Sequence, residues 1–291
     1  MRIRLAVLAD VHANEVALRA VLDEVDRLGV DGLVVAGDLS GFGPAPDVVT
    51  DLLRARRTRM IRGNHEKDYV APYGTSAMPR HWPTSPRTAS LCWNMERLGP
   101  ERRAFLASLP DRLLIDEATL VVHGSPRHAR DAVGADTPLE ELEAMFAGES
   151  CRLAFSGHTH RPVIRDTPSR RYVNVGSVGL PLGGDNRAAY ALIERNGASA
   201  PADGRSAARN GRSAARDGWT VGIRRVAYDV EAAIAMHRAS GCGEGWPDFL
   251  EVYARTLRSA RDYLGPLLRA TRDVPDEQYP AAARAFLDAN P

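Results

Sequence analysis

Five short apolar runs between Ile3 and Phe155 each stop at a cluster of carboxylate, amide or imidazole side chains, and the first three alternate with helix-period stretches. Ile3 to Ala9 is nearly continuous in apolar residues, the pattern of a strand buried on both faces, and it ends at Asp10. Leu18, Val21, Leu22, Val25 and Leu28 then recur at helical spacing, with Asn14 placed to cap the helix and Gly29 to end it. Gly32 to Ala36, a helix over Pro46 to Arg56, and Arg59 to Arg62 repeat the rhythm. Strand, helix, strand, helix, strand implies parallel crossovers and an α/β fold.

Residues Tyr69 to Pro110 interrupt this order with prolines and helical stretches around Ala89 to Leu98 and Glu101 to Leu109, a helical insertion (69–110) able to roof a site. Leu120 to Val122, Arg152 to Phe155, Tyr172 to Val175, Ala188 to Ile193 and Trp219 to Val226 read as further strands, so the second half is the more purely β. Between the last two lies a low-complexity stretch (196–218) in which GRSAARNG at Gly204 is followed by GRSAARDG at Gly211. With little apolar surface to bury, it reads as a flexible, solvated hairpin extension. From 230 to 291 the chain reads as a helical extension: Val230 to Ala239, Phe249 to Ala270 kinked near its end by Pro266, and Ala281 to Ala289.

Composition excludes several classes. The 38 basic and 37 acidic side chains nearly cancel, against a dedicated nucleic-acid partner or an anionic membrane surface and for a small-molecule partner. Cys92, Cys151 and Cys242 are widely spaced and form no CxxC pattern, which fits a reducing cytoplasm rather than a disulfide framework or thiolate metal site. No run is apolar for long enough to be a signal-peptide core or a membrane span. Neither a GxSxG elbow nor a GxxxxGK[ST] phosphate loop is present, which removes serine hydrolases and P-loop nucleotidases.

The clusters at the strand ends carry the chemistry. They are Asp10-Val11-His12, Gly37-Asp38, Gly63-Asn64-His65-Glu66, His123-Gly124 and Gly157-His158-Thr159-His160, and five of the eight histidines fall within them. Each has a bland reading alone: a capping carboxylate, a turn asparagine, a histidine satisfied by a carbonyl. Jointly they place metal-ligand types where open α/β sheets collect ligands, past the carboxyl ends of successive strands. His81, His128 and His237 lie outside the clusters and read as surface or packing residues.

This ordered set resembles the calcineurin-like metallophosphoesterase superfamily over residues 2 to 229, and GDLSGFGPAP and NVGSVGLP look like a compact, phosphodiesterase-like bacterial branch. The resemblance implies a four-layer αββα sandwich of two mixed sheets flanked by helices, with residues 1–229 as the catalytic domain. It implies two divalent metal ions, one held by Asp10, His12 and His160, the other by Asn64, His123 and His158, with Asp38 bridging. Imidazole, carboxylate and amide oxygen suit manganese, iron, zinc, cobalt or nickel, and of these manganese is the expected ion.

The implied chemistry is in-line attack on phosphorus by a metal-bridging hydroxide, with His65 as general acid to the leaving group and Asp38 indispensable. Arg127 and Arg161, near the histidine clusters, are candidates for binding substrate phosphate. The favoured expectation is a phosphodiesterase acting on a small phosphorylated substrate. A phosphomonoesterase or protein phosphatase would use the same metal centre. A silent interaction scaffold, as in the superfamily's retromer subunit, would be expected to have lost ligands that are all present here.

Overall fold

The computed structural model describes residues 2–196, 218–244, 246 and 248–291. β1 (Arg2–Leu8), α1 (Glu15–Leu28), β2 (Gly32–Val35), α2 (Pro46–Ala55) and β3 (Arg59–Met60) form the expected parallel unit. Asn14 caps α1 by accepting the N–H of Ala17, and Gly29 ends it in the left-handed region. A short π-helical turn at Glu66–Val70 leads into the insertion, which makes a 3₁₀ turn at Pro86–Thr88 and then forms α3 (Ala89–Ser108). Gly99, with φ 70° and ψ 167°, breaks α3 into two stretches.

β4 (Arg112–Asp116), β5 (Thr119–Val122), α4 (Leu139–Met145), β6 (Leu153–Ser156), β7 (Val163–Asp166) and β8 (Arg171–Asn174) follow. β9 (Ala188–Asn196) and β10 (Trp219–Val226) then return to the first sheet. One mixed sheet has the order β10-β9-β1-β2-β3 and the other β4-β5-β6-β8-β7. The 204–217 duplication lies outside the described residues.

The sandwich follows from strand alternation. Ala6, Leu8 and Val35 face α1 and α2, whereas Val7, Ala9, Val34 and Ala36 face Val121, Leu153, Phe155 and Val173 of the second sheet. Leu120, Val122, Ala154 and Tyr172 pack outward with Leu142 and Met145 of α4. Helices outside two facing sheets make the four-layer αββα arrangement.

α5 (Val230–Ser240), α6 (Phe249–Ser259), α7 (Leu264–Ala270) and α8 (Tyr279–Ala289) complete the chain. The single helix expected over Phe249 to Ala270 is two, because the chain leaves helical geometry at Ala260, φ 52°. Pro266 lies in the first turn of α7, where a missing N–H costs no internal hydrogen bond, and so does not kink the helix.

Candidate metal centre

The carboxyl ends of β1, β2, β3, β5 and β6 meet at one rim, and the loops there gather all seven expected ligands. Asp10, His12 and His160 form one trio, Asp10, Asp38 and His123 another, and His12, Asp38 and His65 a third, with ligand atoms within 4.8 Å of one another in each. Asp38 Oδ2 lies 3.7 Å from His12 Nε2 and 3.4 Å from His123 Nε2. Asn64 Oδ1 lies 3.0 Å from His123 Nε2 and 2.9 Å from His158 Nδ1. Asp38 therefore stands between the two halves, where the carboxylate expected to bridge would have to lie.

Three imidazoles are turned inward by their outer nitrogens. Nδ1 of His12 faces the carbonyl of Ser40 at 3.2 Å, Nδ1 of His123 that of Ala36 at 2.7 Å, and Nδ1 of His160 that of Leu180 at 2.7 Å. A carbonyl requires a donor, so each Nδ1 carries a proton and each Nε2 is the nitrogen turned to the centre, free to offer a lone pair to a cation that displaces any proton there. His12 Nε2 and His160 Nε2 are only 3.0 Å apart, and two lone pairs at that distance need a cation or a proton between them. Asp10 Oδ1, fully buried and without a hydrogen-bond partner, is 3.4 Å from His160 Nε2. This donor set fits divalent metal.

Electrostatics agree. Burial opposes ionisation of Asp38, but His123 and His65 beside it outweigh burial and hold the carboxyl well below its ordinary value. Burial likewise opposes a proton on His123, and the Asp38 carboxylate overcomes it, lifting His123 to about 10. His160 is raised in the same way by Asp10, whereas burial lowers His12 and brings His158 to about 4. The cage favours positive charge at two points, one in each half.

The ligands are held in strained backbone. Among the described residues eight non-glycines have left-handed φ, and five of them are Asp10, His12, Asp38, His158 and His160. Such conformations cost on the order of 1–3 kcal/mol each and persist where neighbours impose them. Here Gly179 N–H and Ser177 Oγ–H donate to the Asp10 carbonyl, and Asn174 Nδ2 donates to the Gly157 carbonyl and to Thr159 Oγ1. The NVGSVGLP stretch is thus a brace for the first and last ligand loops.

Sequence reading gave no role to Glu66, although it closes the Gly63-Asn64-His65-Glu66 cluster. Its fully buried carboxylate accepts the N–H groups of Asp38 at 2.8 Å, Leu39 at 2.9 Å, Ser40 at 3.2 Å and Gly63 at 2.9 Å. It ties the second ligand loop to the third. Phe42 was also passed over; its ring packs 5.0 Å from that of His12 and 4.9 Å from that of His65.

His65 Nε2 is 4.0 Å from Asp38 Oδ2, and its backbone N–H donates to Asp38 Oδ1 at 2.8 Å. Burial lowers its pKa against the pull of Asp38. Arg127 forks onto Asp131 and Glu141, and Arg161 is exposed beyond His160. Among the described residues neither makes a hydrogen bond to a caging side chain. Arg130 is bound to Asp68, next in sequence to the Tyr69 that packs on His65, and its charge acts on His65.

Two facing mixed sheets that present an imidazole and carboxylate cage at the ends of their parallel strands make the metallophosphoesterase fold with a candidate metal-binding site. The chain belongs to the calcineurin-like phosphoesterase superfamily, whose domain model matches residues 3–197. A metallophosphoesterase from Sphaerobacter thermophilus is similar in structure, with 28% identity, a TM-score of 0.65, and coverage of 89% of this chain and 99% of that one. A hypothetical protein from Pyrococcus horikoshii shares the fold at 20% identity and a TM-score of 0.65, covering 86% and 97% of the two chains. An uncharacterized protein of Methanocaldococcus jannaschii is 26% identical over 65% of this chain and 82% of its own length. No helix among the described residues is long and apolar enough to cross a membrane.

Proposed function

We propose that this chain is a phosphodiesterase that hydrolyses a small phosphorylated substrate in the cytoplasm, using two divalent ions with manganese preferred. The observation that carries the reading is the cage around Asp38, where inward nitrogens and an unpartnered carboxylate oxygen converge from five strand ends. Ions held there would lower the pKa of bound water and offset phosphate charge.

The chain's own residues do the rest. Asp10, His12 and His160 would hold one ion, Asn64, His123 and His158 the other, and Asp38 both, while Glu66 and Ser177 keep these loops from relaxing. His65 presents Nε2 toward the cage, where its N–H is a donor to the leaving oxygen. Phe42 excludes water from the faces of His12 and His65. Among the described residues three cavities border the cage, one at His123 and two that share Phe42, and the pair on either side of Phe42 supports a diester with two arms over a monoester with one. Three unpaired thiols accord with a reducing compartment.

Metal-stripped protein supplied with manganese should hydrolyse bis-nitrophenyl phosphate faster than the nitrophenyl monoester. Faster turnover of the monoester would reverse the diester assignment, and turnover unaffected by chelation would remove the metal-dependent reading.

A further inference from the structure

The cavity that reaches His65 has a volume of about 210 Å³ and is walled chiefly by the rings of Phe42, Tyr69, Trp246 and Phe249 with Leu91. The other, of about 220 Å³, borders His158 and His160 and has Leu180, Leu182 and Asp262 in its wall. Resting on the hydrolase reading above, we infer that the ring-lined cavity receives the leaving alcohol, and that this alcohol is uncharged and carries a flat aromatic body.

The argument begins with His65. It is the one imidazole of the cage in the wall of the ring-lined cavity, so an ester arm seated there has its bridging oxygen on the side of the proton donor. Phe42 and Tyr69 pack against the His65 ring at 4.9 and 5.1 Å, and Phe249 continues the surface 6.2 Å from Phe42. Flat apolar walls favour a flat apolar guest through burial and offset or edge-on ring contact. The volume exceeds the roughly 150 Å³ in which an apolar cavity holds a benzene molecule.

Charge narrows the class further. Among the described residues, Arg87 is apart from His65 the only titratable cation in that wall, and no carboxylate is present. The Arg87 guanidinium is engaged by Asp276 at 3.0 Å and by the carbonyls of Thr271 and Val274, and it stacks 3.9 Å from the centre of the Tyr279 ring. A cationic alcohol would find no carboxylate in the wall to pair with, since the Asp276 nearby is held by Arg87, and a carboxylated one would find that guanidinium already paired. An uncharged aromatic arm loses nothing.

In the reaction the water oxygen forms a bond to phosphorus and the bond from phosphorus to the aromatic alcohol breaks. The alcohol oxygen takes the proton of a protonated His65, which regains one from solvent, and the attacking water gives up a proton to solvent. The products are the monoester of the retained arm and the free aromatic alcohol.

An unsymmetrical diester bearing methyl and naphthylethyl arms, whose alcohols have similar basicity, tests this directly. The manganese-loaded full chain should release naphthylethanol and leave methyl phosphate, in excess over naphthylethyl phosphate by about tenfold or more. Leu91→Trp, which narrows the ring-lined cavity, should reduce that product ratio about tenfold, with thermal unfolding run alongside to verify its fold. Unselective cleavage, preferential loss of methanol or no cleavage overturns the inference in wild-type protein that turns over bis-nitrophenyl phosphate. Absence of turnover on bis-nitrophenyl phosphate as well is the separate failure of the hydrolase reading.

Discussion

Glu66 Oε2 accepts the backbone N–H of Asp38 at 2.8 Å, so the residue at the middle of the cage is held from behind by a second carboxylate that belongs to none of the three trios. Gly63 N–H meets the same oxygen at 2.9 Å, which locks two ligand loops together. Glu66→Gln sets an NH₂ group against these donors. It should cost on the order of 1–3 kcal/mol of stability and weaken manganese binding about 10- to 100-fold. Chemical denaturation and a manganese titration check both, and wild-type values in both would remove the positioning role.

His65→Ala should slow esters of alkyl alcohols by about 10²- to 10⁴-fold and nitrophenyl esters far less, since a good leaving group needs little protonation. A leaving-group series on the two proteins reads this out. Equal losses across the series would end the assignment of His65 as proton donor.

The clusters at the strand ends were legible because a ligand type must follow each apolar run by a fixed short distance, and that order survives in the linear chain. Roles that depend on backbone donors were not. Nothing about Glu66 in sequence says that four N–H groups converge on it. Glycine was legible for the wrong reason in part: Gly37 does exit its strand at φ 87°, but Gly63 is required because a Cβ there would collide with the Asp38 carboxylate. β4 and β7 escaped notice because they are edge strands with mixed or partial burial, and α4 because it is only two turns long. That the insertion and the C-terminal helices wall the site was an expectation of the sequence; which of their residues meet was not, because it depends on contacts between distant segments, Arg87 with Asp276 among them.

Gly63→Ala follows from that collision. The folded protein should retain its secondary structure yet lose manganese affinity, because Asp38 must move to admit the methyl group. Circular dichroism with metal titration tests it, and undiminished affinity would show that the ligand loop has slack.

His237 gives an acid sensitivity separate from the cage. Its ring is buried 4.6 Å from that of Tyr253 and 5.5 Å from that of Phe249, and burial lowers its pKa from 6.5 to about 4. Above pH 6.5 neither folded nor unfolded chain protonates it, so it adds no pH dependence. Between 6.5 and about 4 the unfolded chain binds a proton that the folded chain refuses, and stability falls by up to about 1.4 kcal/mol per pH unit. His237→Phe should show a shallower loss of stability than wild type between pH 6.5 and 4.5 in urea unfolding; parallel curves would contradict it.

Anomalous scattering from crystals grown with manganese tests the central claim most directly. Two peaks are expected about 3.5–4 Å apart, one against Asp10, His12 and His160, the other against Asn64, His123 and His158, with Asp38 touching both. A cage that stays empty at saturating manganese, or ions bound elsewhere while it does, would contradict the account.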